Sequence, residues 1–99
     1  MATNYERGRA FEYARKKHYE DNGYLVVRSA GSHSPFDLVA FHAWQVPIAI
    51  QCKRTKTEGQ AKDLKIKFMQ NPPISKACGC HQRIEIYVKD TREIVSWTI

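Results

Sequence analysis

In two segments of the chain, the less polar residues recur at the spacing of an α-helix. The first runs from Tyr5 to Tyr19, with Thr3 or Asn4 as the N-cap and Asn22-Gly23 as a stop signal. The second places Ala61, Leu64 and Phe68 on one stripe, which predicts a helix over Glu58–Gln70 that ends before two prolines. In the first helix, the charged residues Glu12 and Arg15 are expected to face water.

Five other segments are rich in β-branched and aromatic residues and predict strands. The connections between the first three are too short for crossover helices, which indicates an antiparallel meander. The last two flank the turn Asp90-Thr91-Arg92 and alternate with period two, as in a hairpin. The predicted strands are Tyr24–Arg28, Asp37–Phe41, Val46–Lys53, Arg83–Lys89 and Glu93–Ile99.

The resulting order α-β-β-β-α-β-β predicts an α/β fold with a mixed sheet. No repeat, low-complexity tract or linker divides the chain, so residues 1–99 are expected to form a single domain. A content of 42% hydrophobic and 26% charged residues excludes a disordered or fibrous chain.

Basic residues exceed acidic ones by 16 to 10, and six of them lie between Lys53 and Lys67. Such a charge favours a polyanionic partner, either nucleic acid or an acidic membrane surface, although a solvated helix face has the same composition. The longest apolar run, Val46–Ile50, is interrupted by Pro47 and is far shorter than a membrane span of about 20 residues. No secretory signal is visible, and three cysteines cannot all pair within one chain, so a reducing cytoplasm is the expected location.

A few polar residues at strand ends suggest a catalytic site. Asp37 opens one strand, and Gln51 and Lys53 share one face of the next. Together with Glu6 in the first helix, they offer oxygen ligands for a hard divalent cation and an ammonium for phosphate charge, as metal-assisted phosphodiester hydrolysis requires. Spacing alone fits an ordinary sheet edge equally well.

The stretches Val26-Val27-Arg28-Ser29-Ala30-Gly31-Ser32, Asp37-Leu38-Val39-Ala40 and Ile48-Ala49-Ile50-Gln51-Cys52-Lys53 favour the catalytic interpretation. With the helix that bears Glu6-Arg7, they resemble the archaeal-type Holliday junction resolvases of the PD-(D/E)xK nuclease superfamily, over nearly the whole chain. The resemblance implies a restriction-endonuclease-like fold. It also implies that Glu6, Asp37, Gln51 and Lys53 form a site for Mg²⁺ or Mn²⁺, with the first three as metal ligands.

One position departs from the family pattern, because Gln51 stands where the family has Glu or Asp. A glutamine carbonyl can coordinate the same ions but adds no negative charge.

The resemblance further assigns phosphate contacts to Arg7 and Arg28 and a role in cutting to a loop serine. We take that serine to be Ser32, with Ser34 as an alternative, while the two arginines can also form structural ion pairs with Glu6 or Asp37. The basic cluster supplies further candidates for DNA contact, namely Arg54, Lys56, Lys62 and Lys65.

The resemblance therefore implies a structure-selective, divalent-metal-dependent endonuclease that cuts four-way DNA junctions as a homodimer. It would act in the cytoplasm, or in that of the host cell if its source is viral. The alternatives are another nuclease of the same superfamily acting on branched or duplex DNA, and a DNA-binding module without catalysis. The group Cys78-Gly79-Cys80-His81 offers too few ligands to favour zinc.

Overall fold

The computed structural model describes residues 3–29, 35–73 and 79–99. Two helices and five strands follow one another in the predicted order, and the mixed α/β fold class is confirmed. The elements are α1 (Asn4–Asp21), β1 (Leu25–Arg28), β2 (Leu38–His42), β3 (Gln45–Thr55), α2 (Glu58–Gln70), β4 (His81–Val88) and β5 (Glu93–Thr98). No helix in these described parts of the chain is long and apolar enough to cross a membrane.

Both helices begin at capping residues, and that of α1, Thr3, is one of the two predicted. The Thr3 side chain accepts a hydrogen bond from the backbone N–H of Glu6. Thr57 and Gln60 form a reciprocal capping box at the start of α2, which satisfies backbone donors that the first helical turn leaves free. The chain leaves α1 through Gly23, whose φ of +89° is a conformation that glycine adopts without strain.

The sheet has the strand order β1-β2-β3-β4-β5. The first three strands form the predicted antiparallel meander, and β4 and β5 form the predicted hairpin. Strands β3 and β4 run parallel, because α2 carries the chain back to the end of the sheet at which β3 begins. Pro47 lies in β3 before the first pair with β4, at a register irregularity opposite β2, so it interrupts no ladder there.

Each face of the sheet has its own apolar core. On the α1 side, Tyr19 packs on sheet residues, and on the α2 side Ala61 and Phe68 do so. The sheet residues under α1 are Val26, Leu38, Ala40 and Ile50, and the α2 cluster contains Phe36, Ala49, Ile84, Ile86 and Val88. Helix α2 packs on β3 and β4, which leaves this face of β1 and β2 uncovered by it.

The expectation that Glu12 and Arg15 face water is wrong. Glu12 forms an ion pair with Arg28, and Arg15 forms one with Glu85 of β4, which is fully buried. Helix α1 has only two buried residues, Phe11 and Tyr19. Its contact with the sheet is therefore completed by charged pairs, which a helical pattern of apolar residues does not reveal.

Candidate functional site

Asp37 lies where β2 and β3 begin to separate. One carboxylate oxygen, Oδ2, accepts a hydrogen bond of 2.8 Å from the backbone N–H of Cys52. The Asp37 backbone N–H donates to the carbonyl oxygen of Ile50 at 2.9 Å. The aspartate is thus tied to β3 through both its backbone and its side chain, and its oxygen Oδ1 has no hydrogen-bond partner among the described residues.

Gln51 and Lys53 lie next to Asp37 along β3. The antiparallel register pairs Leu38 with Ile50, so the next position outward sets Asp37 against Gln51. The Gln51 amide nitrogen lies 3.5 Å from the carbonyl oxygen of Pro35, and the side chain makes no contact with Asp37 among the described hydrogen bonds. Lys53 is exposed and lies two residues further along the strand.

Helix α1 carries a second candidate acid for this site, Glu12, while the role predicted for Glu6 stays a prediction. Glu6 is exposed, and its carboxylate accepts a hydrogen bond from the Thr3 hydroxyl in the first helical turn. Burial raises the pKa of Glu12, and the negative charge of Asp37 raises it further, so the two carboxylates interact electrostatically. Glu12 follows Glu6 by six residues, or less than two helical turns.

Arg28 of β1 forms an ion pair with Glu12. Its Nε lies 3.4 Å from Glu12 Oε1, and both side chains are mostly buried. The Arg28 guanidinium also lies 4.9 Å from the centre of the Tyr13 ring, a distance typical of a cation–π contact. The ion pair that the sequence left open for Arg28 is therefore formed with Glu12, rather than with Glu6 or Asp37.

A basic groove of about 520 Å³ lies between α1 and the end of β3. Glu12 and Cys52 are among its lining residues, whereas Asp37 and Gln51 are not. Five basic residues of the described chain also line it, namely Arg7, Lys53, Arg54, Lys56 and Lys89. The Arg54 guanidinium forms a cation–π contact with Tyr87, 4.6 Å from the centre of the ring.

The other predicted DNA contacts lie on α2, outside the described lining of this groove. Lys62 is exposed, and the Lys65 ammonium lies 4.9 Å from the centre of the Trp97 ring. The loop serine Ser32, together with its alternative Ser34, lies outside the described residues.

A network that sequence reasoning missed lies beside the site. The Glu85 carboxylate accepts hydrogen bonds from Arg15 Nε at 2.6 Å, from the Tyr19 hydroxyl at 2.6 Å and from Arg83 Nε at 2.9 Å. Glu85 is the direct partner of Cys52 in the parallel register. We call Glu85, Arg15, Tyr19 and Arg83 the Glu85 cluster.

Cys52 contacts both the candidate site and the Glu85 cluster, through the Asp37 carboxylate and through its pairing with Glu85. Burial raises the pKa of its thiol, and the negative charges of Glu85, Asp37 and Glu12 raise it further, in that order. The Cys52 thiol therefore stays protonated at neutral pH, so it is neither a nucleophile nor a metal ligand here.

Within the described residues, no three His, Cys, Asp or Glu side chains lie close enough together to hold a metal ion. The oxygen donors on the α1 side of Cys52 are the carboxylates of Glu12 and Asp37. Gln51 instead lines a second groove beside α2, together with Leu64 and Phe68. The two carboxylates suit a hard cation such as Mg²⁺ or Mn²⁺, which accepts one or two carboxylates and completes its shell with water and substrate oxygens. They do not suit zinc, which prefers nitrogen and sulfur ligands.

Comparison with solved structures gives structural parallels. The structure is similar to that of Hjc of Archaeoglobus fulgidus, a Holliday junction resolvase from an archaeal hyperthermophile, with a TM-score of 0.54 and 19% sequence identity. The chain has a resolvase-like fold. The alignment covers 83% of this chain and 65% of the resolvase, so the chain corresponds to about two thirds of that protein's length. No family model and no curated protein matches the sequence.

One sequence signal marked the part of α1 that contacts the sheet in this resolvase-like fold. Glu12, Arg15 and Tyr19 are spaced by three and four residues and so lie on one stripe of the helix. Tyr19 is its buried end. Extending that stripe backwards from Tyr19 leads to Glu12 and not to Glu6.

Proposed function

We propose that this protein is a divalent-metal-dependent endonuclease that cuts four-way DNA junctions. The observation that carries the proposal is the position of the Asp37 carboxylate, fixed on the Cys52 amide between Gln51 and Lys53 with Glu12 alongside. The resolvase-like fold supports the choice of reaction, and the basic groove supports a phosphate-rich substrate.

Each side chain has a separate task in the proposed reaction. Asp37 and Glu12 supply the negative charge that would hold Mg²⁺ or Mn²⁺, and Gln51 supplies a neutral oxygen. When bound, the cation polarises the scissile phosphate and lowers the pKa of a coordinated water. Lys53 lines both the basic groove and the one beside α2, and it would neutralise charge that develops on the phosphate oxygens during attack. Arg7 and Arg54 line the basic groove and would hold adjacent phosphates in place.

The basic groove favours recognition of DNA shape through its phosphates. Lysine and arginine contacts to phosphates position a protein on nucleic acid without reading base sequence. Lys62 and Lys65 extend the positive charge along α2 and would contact a more distant arm of the DNA. A branched substrate has arms in several directions, so basic residues on separate elements can be used together.

We further propose that the active form is a homodimer, because resolving a junction requires two opposed cuts. A second copy would bind the α2 side of β1 and β2, where Leu25 pairs with Phe41 and Val27 with Val39. Leu25, Val27 and Phe41 are exposed, and Trp44 in the adjoining β2–β3 turn is 91% exposed. We call Leu25, Val27, Phe41 and Trp44 the apolar face. Burying such a patch between two copies removes apolar surface from water.

Cleavage of a synthetic four-way junction tests the proposal. We expect the purified protein to cut two opposed strands symmetrically with Mg²⁺ or Mn²⁺ and not with EDTA. Asp37→Ala should abolish cutting, whereas the exposed Asp63→Ala on α2 should retain it as a matched control. Junction that is bound but uncut with every divalent ion would indicate a binding module. Equal cutting of linear duplex would indicate a general nuclease, and either result would overturn the proposal.

A further inference from the structure

The Glu85 carboxylate is the most deeply buried charged group described in the chain. Glu85 is 0% exposed, and its two oxygens accept hydrogen bonds from two arginines and a tyrosine. Burial acts to raise the pKa of Glu85, but the hydrogen bonds from Arg15, Tyr19 and Arg83 outweigh it and lower the pKa below its ordinary value. The carboxylate is therefore ionised at neutral pH.

Fold stability alone gives no reason for this buried charge. Replacing a buried ionic cluster by well-packed apolar residues is often neutral or stabilising, because desolvation costs offset the ion-pair attraction. The positions of β4 that face α2, Ile84, Ile86 and Val88, are all aliphatic, whereas Glu85 lies on the α1 face between Arg83 and Tyr87. An ionised glutamate at this position calls for a specific task.

That task concerns Arg15, the arginine of the Glu85 cluster that lies on the same helix as Glu12. The two residues are separated by three positions, which puts an arginine within reach of a glutamate on a helix surface. Arg15 is instead turned to Glu85, where its Nε and Nη2 bind the two carboxylate oxygens at 2.6 and 3.3 Å. Its side chain is only 14% exposed, so water offers it little alternative.

Glu12 already has one arginine partner, Arg28, at 3.4 Å. A second guanidinium would occupy the remaining oxygen and cancel the charge that the carboxylate pair offers to a cation. Arg9 and Arg15 each lie three positions from Glu12, but Arg9 is exposed and contacts Tyr13, whereas Arg15 is mostly buried. A mostly buried arginine without a carboxylate partner would turn to the next one available.

Resting on the function proposed above, we infer that Glu85 is a positioning residue that holds Arg15 away from Glu12 and so keeps the Glu12–Asp37 pair open to a divalent cation. Glu85 touches neither the cation nor the DNA in this arrangement. It acts on the metal site only through the arginine that it retains.

Titration with Mn²⁺ in the absence of DNA tests this inference by calorimetry. Glu85→Gln should weaken Mn²⁺ binding by about tenfold, the lower end of the effect seen for residues that support metal ligands. The double variant E85Q/R15Q should restore the affinity to within about twofold of the wild type, since the competing charge is gone. If Glu85 only holds the helix in place, the double variant should bind at least as weakly as E85Q, and that result would overturn the inference.

Two single variants at Arg15 decide the question even if E85Q does not fold. Arg15→Lys keeps a positive charge that Glu85 holds less firmly, because lysine lacks the bidentate fork. Arg15→Gln removes the charge. We expect R15K to bind Mn²⁺ more weakly than R15Q, although lysine is the more conservative change. A helix-docking role predicts the reverse order, which would overturn the inference.

Arg83→Gln provides the matched control, because Arg83 contacts the same carboxylate but lies on β4 and also donates to Thr98. We expect R83Q to bind Mn²⁺ as the wild type does, and weakening equal to that in E85Q would contradict a specific role for Arg15. A wild-type protein that binds no Mn²⁺ would overturn the proposed function together with this inference. Wild-type binding with the two Arg15 variants in the reverse order would overturn the inference alone.

Discussion

At the scale of single residues, the Asp37 carboxylate is held by a backbone amide rather than by another charged side chain. The bond from the Cys52 N–H fixes one oxygen and leaves the acid its full charge. A backbone donor does not compete with a cation as an arginine would. Asp37 is therefore better prepared for metal binding than Glu12, which pairs with Arg28.

Replacing each of the two α1 glutamates in turn distinguishes the metal ligand proposed from the structure, Glu12, from the one predicted from the sequence, Glu6. We expect Glu12→Gln to weaken Mn²⁺ binding at least about tenfold and to abolish junction cutting, because it removes one of two carboxylate ligands. Glu6→Gln removes an exposed acid at a helix start and should leave both activities unchanged. Calorimetry and a cleavage assay measure the two effects, and loss of activity in E6Q alone would restore Glu6 as the ligand.

Introducing an acid at position 51, where the family pattern has Glu or Asp, is the complementary experiment. Gln51→Glu adds a negative charge beside Asp37, and we expect Mn²⁺ to bind about tenfold more tightly, since ligand charge tunes such affinities. Gln70→Glu, at the exposed end of α2, makes the same chemical change far from the site. Equal affinity in Q51E and wild type would show that residue 51 is not a ligand.

At the scale of elements, the docking of α1 on β4 depends on ionisation. The hydrogen bonds that lower the pKa of Glu85 require its carboxylate, so the folded state releases that proton more readily than the unfolded state. The stabilising effect is complete above the ordinary glutamate pKa of about 4.3 and disappears as the pH falls through the lower pKa of the folded protein.

Thermal unfolding at a series of pH values measures this contribution. We expect the melting temperature of the wild type to exceed that of Glu85→Gln at neutral pH, and the gap to narrow as the pH falls below about 4. Glu93→Gln, an exposed change on β5, should follow the wild type throughout. A gap that stays constant down to the acid limit would mean that Glu85 ionisation does not stabilise α1.

The elements themselves were predictable, whereas the rotation of α1 was not. Helix α2 begins and ends at the predicted residues, because its capping box and its Ala61–Phe68 stripe agree. In α1 the apolar stripe is sparse, so it does not indicate that the side of the helix facing the sheet carries Glu12 and not Glu6. That side is set by ion pairs to Arg28 and Glu85, residues 16 and 70 positions away along the chain from Glu12 and Arg15 respectively. A local sequence pattern contains no such information.

At the scale of the whole molecule, charge and apolar surface are separated. The basic groove lies at the end of β3 that carries Lys53, and the apolar face adjoins the turn at the other end. The sequence predicted the net charge and the basic cluster, but the apolar face depends on α2 covering only β3 and β4. That arrangement follows from the parallel register of those strands, which composition does not determine.

A charge placed on the apolar face tests the proposed dimer. We expect Val27→Lys to convert a dimer to a monomer in light scattering coupled to gel filtration, because a lysine cannot be buried there without a partner. Ile66→Lys, on the exposed side of α2, should remain dimeric as a matched control. A wild type that is monomeric at all concentrations would contradict the proposed homodimer.

Strand β3 is 11 residues long, which at about 3.3 Å per residue gives about 36 Å. The longest dimension of the molecule is 38 Å, so this one strand runs almost from end to end. Assembly and chemistry are proposed at its opposite ends, and a variant that loses the partner therefore keeps its groove intact. Such a monomer would be a nickase, which interrupts one strand per encounter and leaves the junction's second strand to a separate event.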